Sequence, residues 1–152
     1  MSIFIDMLFR FVEVRFCRGE KLRIHTSAED YLEAILVISK EKNNVRAMDV
    51  VKHTGYARAS ISIALKQLKE NGCITVDKGH NILLTDKGTQ IAMRTYRRHL
   101  LIAKFLIALG VDEETAFEDA CKLEHGISEK SFQCLNNYYQ QHFAGHIQDM
   151  NV

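Results

Sequence analysis

The residues most able to do chemistry in this sequence lie in one short run, Cys121, Lys122, Leu123, Glu124 and His125. On a helix, positions i, i+3 and i+4 bring a thiolate, a carboxylate and an imidazole to a common face, while Lys122 and Leu123 point away. That donor mixture suits a transition metal. Taken alone, the segment equally describes a small buried cysteine beside a solvated glutamate and histidine, which is the commoner arrangement. Asp30 and Glu33 form a second set of carboxylates on neighbouring positions of a helix face, able to share a cation. His99, in the run Tyr96, Arg97, Arg98, His99, could complete a shell. Cys121 beside His125 or His99 could also imitate a nucleophile and its base. No glycine-rich phosphate loop, oxyanion turn or H-E-x-x-H run accompanies it, so the enzymatic reading is disfavoured. His142 and His146 stand at i and i+4 near the C-terminus, where solvated histidines are commoner than ligands.

The elements that must position these groups follow from periodicity. The chain has 152 residues, 47% of them apolar, which is enough for a real core and for one or two small units. It contains no proline, so helices dominate and glycine and asparagine supply the punctuation. Thr26 or Ser27, with Glu29 or Asp30 three residues on, forms a capping box for a helix over residues 27–42, with Leu32, Ile35, Leu36 and Ser39 near one face. A short helix over 47–53 ends at Thr54 and Gly55, and a second starts near Arg58 and runs to Gly72. Two helices joined by a tight glycine-bearing turn make a helix-turn-helix. The runs CITVD and NILLT are short β-prone segments separated by Lys78, Gly79, His80 and Asn81, the pattern of a β-wing. Thr85 caps a long helix to Leu109, Asp112 opens another to about His125, and Ser128 opens a last one to about His142.

Charge is distributed unevenly although the formal net charge is only +1. Residues 40–80 carry eight Lys and Arg against four Asp and Glu, whereas residues 112–149 carry eight acids against Lys122 and Lys130. The first segment can meet a polyanion and the second cations. In a helix-turn-helix the second helix enters the major groove. Its exposed set here would be Arg58, Ser60, Ser62, Ile63, Lys66 and Lys69, with hydroxyls reading base edges and Ile63 touching a thymine methyl. Lys78 and His80 on the wing would approach backbone or minor groove. The competing reading, a helix-turn-helix that serves only as a packing unit, is weakened by the adjacent wing and the local positive charge.

Cys17, Cys73, Cys121 and Cys134 show no regular spacing, which fits a reducing cytoplasm. The stretch MSIFIDMLFRFVEVRF is broken by Asp6, Arg10, Glu13 and Arg15 long before the roughly 20 apolar residues of a span, so neither a signal peptide nor a membrane helix is expected. Residues 1–22 are read as an extension of unknown role, 23–88 as a winged helix-turn-helix, 89–143 as a helical metal-binding and dimerisation unit, and 144–152 as a tail. The fold class is mainly α.

Together SAEDYLEAIL, the winged helix-turn-helix, YRRHLLIAKFLIALGVDEE and DACKLEHGIS resemble the diphtheria toxin repressor family over about residues 24–132, nearest its short manganese transport regulator branch. The resemblance implies a metal-activated, homodimeric repressor that binds a double-stranded, palindromic operator and takes no small-molecule substrate. It implies metal ligands at Asp30, Glu33, His99, Cys121, Glu124 and His125. Manganese regulators usually place a carboxylate where Cys121 stands, and iron regulators place a cysteine there but lack the carboxylates at the positions of Asp30 and Glu33. The sequence is a hybrid of the two. The ancillary site of iron regulators would need polar ligands where Ala103 and Phe117 sit, and Ala57 occupies the position of a frequent capping serine. Carboxylates favour Mn(II), while a thiolate with imidazole shifts preference toward Fe(II), Co(II) or Zn(II). The expectation is Fe(II) or Mn(II), with Zn(II) and Co(II) open, the ion count undecided, and a Zn(II)-responsive or metal-blind winged-helix regulator as the alternative.

Overall fold

The computed structural model describes residues 28–143. Six helices and one hairpin follow in order: α1 (Ala28–Glu41), α2 (Ala47–Thr54), α3 (Arg58–Glu70), β1 (Ile74–Val76), β2 (Ile82–Leu84), α4 (Asp86–Ala108), α5 (Glu113–Leu123) and α6 (Glu129–His142). The mainly helical class and the winged arrangement agree with the sequence reading, and most ends fall within two residues of it. Thr26 and Ser27 of the expected capping box, residues 1–22, the tail and His146 lie outside the described residues.

Helix α1 is the centre of the molecule. Its acids Glu29 and Asp30 sit in the first turn and Lys40 in the last, which complements the helix dipole. Periodicity predicted one apolar face, yet every residue from Asp30 to Ile38 is buried. The reason is tertiary: α2, α3, β2 and α4 all pack against α1 and cover it from several sides. A main core therefore gathers Leu32, Ile35, Val50, Ile61, Ile74 and Ile82 around it, while a smaller one joins Ile102, Ala103, Phe117 and Ala120 between α4 and α5. The expected boundary at residues 88 and 89 falls in the first turn of α4.

Local chemistry explains the helix ends. Gly55 terminates α2 in the left-handed region at φ 72°, where a Cβ would be strained. Thr85, Asp112 and Ser128 accept from the backbone N–H of Gly88, Thr115 and Ser131, capping α4, α5 and α6. Ala57 supplies no side-chain cap to α3, as its type dictates.

The wing is an antiparallel pair in the register Ile74 to Leu84, Thr75 to Leu83 and Val76 to Ile82. Asp77 Oδ1 closes its turn by accepting from Gly79 N at 2.8 Å and Asn81 N at 3.0 Å. The left-handed residue of this turn is His80, at φ 61°, rather than the neighbouring Gly79. Asn81 then ties the wing to the helical body, because its Oδ1 accepts from Val45 N at 2.7 Å while Ile82 N donates to Val45 O at 2.7 Å. Removing the acceptor strands the N–H of the buried Val45. Asn81→Ala is expected to cost about 1 to 3 kcal/mol by urea denaturation and to speed hydrogen exchange at Val45 and Ile82; unchanged midpoint and exchange would refute that anchoring role.

Candidate metal centre and nucleic-acid interface

Three parts of the chain meet at one buried polar junction: the start of α1, the middle of α4 and the end of α5. Asp30, Glu33, His99 and Glu124 are all buried there, an arrangement too costly to exist without partners. Two groups of potential ligands form, His99 with Cys121 and Glu124, and Asp30 with Glu124 and His125, each with its donor atoms within 4.8 Å of one another. Glu124 belongs to both.

Helix α5 stops at Leu123, not at His125 as the sequence suggested, and Glu124 and His125 occupy the turn that follows. This corrects the picture of Cys121, Glu124 and His125 on one helical face. Glu124 keeps near-helical angles, φ −58° and ψ −32°, and faces back into the junction, whereas His125 joins Asp30 rather than Cys121. The two α1 carboxylates differ in their surroundings. Glu33 is buried on α1 but belongs to neither ligand group; its charge, after burial, helps push the Tyr96 phenol up to about 12.

The geometry around each imidazole differs. His99 Nδ1 lies 2.9 Å from Glu124 Oε2, its ring stacks on Phe117 at 5.7 Å between centroids, and its Nε2 is buried with no hydrogen-bond partner among the described residues. A buried imidazole nitrogen left without a partner is what a metal-binding lone pair requires. His125 Nε2 lies 2.5 Å from Asp30 Oδ1. Glu124 Oε1, buried and outside hydrogen-bond geometry with any described group, sits 3.1 Å from the same nitrogen. The carboxylate of Asp30 and then that of Glu124, both facing the ring and acting against burial, push the His125 pKa up to about 11. The negative charge of these carboxylates thus favours the protonated form of the ring. Two imidazoles, a thiolate and carboxylates around an orphaned nitrogen fit a divalent transition ion.

Two residues that the sequence reading left out of the site shape the junction. Arg98 Nη1 donates to Glu124 O at 3.3 Å and Ile127 O at 3.2 Å, Nη2 donates to Glu129 Oε2 at 2.6 Å, and its guanidinium lies over the Phe132 ring. It therefore fixes the backbone that presents Glu124 and His125. Glu29 Oε2 lies 3.1 Å from His125 Nδ1, and its Oε1 accepts from Arg94 Nη2 at 2.7 Å. Adjacency to His99 and Asp30 was the only signal available for either. Elsewhere, His142 packs on Tyr138 with ring centroids 4.2 Å apart, and Cys73, Cys121 and Cys134 form no disulfide among the described residues.

The second candidate surface lies on α3 and the wing. Arg58, Ser60, Ser62, Ile63, Lys66, Lys69, Lys78 and His80 are all exposed, and Ile63 is 60% accessible although it is apolar. Ile61 and Leu68 on the other side of α3 are buried, so the helix presents a polar and basic face outward while its apolar face holds it to the core. No helix among the described residues is long and apolar enough to cross a membrane.

The fold and these surfaces define a winged-helix transcriptional regulator with a candidate metal junction. Residues 85–143 match the family model for the iron dependent repressor, metal binding and dimerisation domain. The chain is 30% identical over 116 residues to the transcriptional regulator MntR of Escherichia coli O157:H7, covering 76% of this chain and 75% of that protein. It is 31% identical over 114 residues to the HTH-type transcriptional regulator MntR of Bacillus subtilis strain 168, covering 75% of this chain and 80% of that protein. Among solved structures, the manganese regulator SloR matches with a TM-score of 0.70 and 27% identity over 77% of this chain, and the metal-dependent transcriptional regulator MtsR with 0.71 and 29% over 77%. The chain spans 55% of the length of each of those two. The chain belongs to the diphtheria toxin repressor family of metal-dependent transcriptional regulators, in its MntR branch.

Proposed function

We propose that this chain is a metal-dependent repressor of metal-homeostasis genes, activated by Fe(II) or Mn(II), that binds a palindromic operator as a cytoplasmic homodimer and acts on no small-molecule substrate. The observation that carries the reading is the sharing of Glu124 between two ligand groups, because those groups draw on α1, α4 and the turn after α5 together. The ligands would be Asp30, His99, Cys121, Glu124 and His125, with Glu33 kept in the set for its buried place one turn along α1 from Asp30. A divalent ion supplies charge and directional coordination at this junction. Asp30 ties the start of α1 to it, and α1 in turn packs under α2 and α3, so order at the junction is order in the frame of the recognition helix. A two-fold dimer would present two such helices, whose separation must match half-sites about 34 to 36 Å apart or a multiple. Apolar surface on α4 and α5 is the proposed dimer contact. Residues 23–88 would act as the reading unit and 89–143 as the sensing and dimerising unit.

Fluorescence anisotropy with labelled promoter DNA in chelated buffer tests the reading. Binding should strengthen about 5- to 150-fold when Mn(II) or Fe(II) is restored, the range typical of coupled sites. Equal binding with and without metal would refute it. A Zn(II)-responsive regulator is the second reading, favoured by the thiolate of Cys121 in the group with His99 and Glu124. Equilibrium dialysis against each ion separates the two, and a chain holding none of them stoichiometrically is the metal-blind regulator.

The proposed contact surface makes its own prediction. Lys66 is exposed on α3 and its ion pair with Glu70, at 3.9 Å between highly exposed partners, is too weak to compete with a phosphate. Lys66→Ala should weaken binding to all duplexes alike and flatten the plot of log affinity against log salt by about 1. An unchanged slope would place Lys66 off the duplex.

A further inference from the structure

We propose that Glu29 is a positioning residue for the metal centre, gripping the far edge of the His125 ring so that the opposite nitrogen serves as ligand. The inference rests on the metal-centre reading above and adds to it a residue outside the ligand groups. An imidazole that binds an ion through one nitrogen carries its proton on the other, and that N–H needs an acceptor to hold the tautomer and the ring plane. His125 Nε2 faces Asp30 Oδ1 at 2.5 Å and Glu124 Oε1 at 3.1 Å, toward the shared carboxylate. Its Nδ1 faces Glu29 Oε2 at 3.1 Å.

Glu29 and Asp30 are consecutive on α1, and consecutive helix positions point about 100° apart, given 3.6 residues per turn. The two neighbours can therefore take hold of opposite edges of one ring, which a single carboxylate cannot do. Glu29 is itself fixed, since its second oxygen accepts from Arg94 Nη2 at 2.7 Å. The result is a continuous arm from α4 through α1 to the turn after α5, linking Arg94, Glu29 and His125. Both carboxylate oxygens of Glu29 are engaged in this arm, and Glu29 is in neither ligand group. Its role is to orient His125 and raise the basicity of Nε2.

The experiment measures Mn(II) and Co(II) affinity of the full chain by competition with a fluorescent chelator, for wild type, Glu29→Ala, Glu29→Gln, His125→Ala and both double variants, with apo thermal melts as the folding check. Glu29→Ala should weaken binding about 10- to 100-fold, the usual loss on removing the hydrogen-bond partner of a ligating histidine. Glu29→Gln keeps an acceptor of the same size without the charge, so it should lose less, and it keeps the question answerable if the alanine variant does not fold. In the His125→Ala background neither change should cost anything further, because the ring through which Glu29 acts is gone. Wild-type affinity in the Glu29 variants, or the same fold loss with and without His125, would overturn the inference while leaving the metal centre intact. A wild-type chain that binds neither ion would overturn the metal-centre reading and this inference with it.

Discussion

Glu124→Ala is expected to abolish metal-dependent operator binding while leaving weak, salt-sensitive duplex binding in place. Glu124 is the one residue common to both ligand groups, so its loss reduces each to two donors. It also removes the carboxylate that contacts His99 Nδ1 at 2.9 Å and His125 Nε2 at 3.1 Å, leaving both rings less well oriented. Losing a partner of a ligating histidine costs about 10- to 100-fold in metal affinity, and losing a shared ligand as well should exceed that. The coupling to DNA, about 5- to 150-fold, should then vanish. Basic residues on α3 and the wing are untouched, so non-specific binding persists and is screened by salt. Chelator competition and anisotropy measured on the same preparation provide the check. If Glu124→Ala retained a metal-dependent rise in operator affinity equal to that of the wild type, Glu124 would not be the link between the two halves.

The largest expected effect on stability lies at Gly88. A Cβ built there would stand 1.9 Å from the backbone oxygen of Cys73, 2.9 Å from its carbonyl carbon and 3.3 Å from a Leu84 methyl. Backbone must move to admit it, and this backbone is heavily tied. Cys73 O accepts from Thr85 N at 3.0 Å, Thr85 Oγ1 donates to Gly72 O at 2.7 Å, and Lys87 Nζ donates to Asn71 O at 2.9 Å. Overpacking of a tight site costs about 1 to 3 kcal/mol and occasionally more, and backbone contacts this short argue for the upper end. At about 2 to 4 °C per kcal/mol for a chain of this size class, Gly88→Ala should lower Tm by roughly 6 to 12 °C. Here glycine is required for close approach between the wing and α4, not for a positive φ. A melting temperature equal to that of the wild type would show that the joint yields without cost.

Much of the fold was legible because it is written locally. Thr85, Asp112 and Ser128 are small polar residues at the starts of periodic apolar runs, and each caps the helix it precedes. The ligand candidates could be named by type, a thiolate, carboxylates and imidazoles at helical spacing, although that segment alone more often describes a buried cysteine beside solvated side chains. The resemblance of those runs to the diphtheria toxin repressor family added order to the list and turned a commonplace segment into a candidate site. Buried chemistry was harder to see. The role of Glu29 depends on a histidine 96 residues away, and that of Arg98 on carbonyls 26 and 29 residues away. Spacing rules compare only near neighbours on one element, so neither residue could announce itself.

By itself the sequence determined the helices, the caps of α4, α5 and α6, the wing, the basic face of α3 and the chemical types available for a cation. Tertiary structure alone decided that every residue of α1 from Asp30 to Ile38 is buried, that α5 ends before Glu124, that His125 turns to Asp30 instead of Cys121, and that Glu33 stays outside both ligand groups. It also placed the left-handed residue of the wing at His80 and made Gly88 indispensable at the joint. The physical reason is the same throughout: periodicity and capping are fixed by a few residues of adjacent backbone, whereas a ligand's direction is fixed by whichever distant segments pack against it.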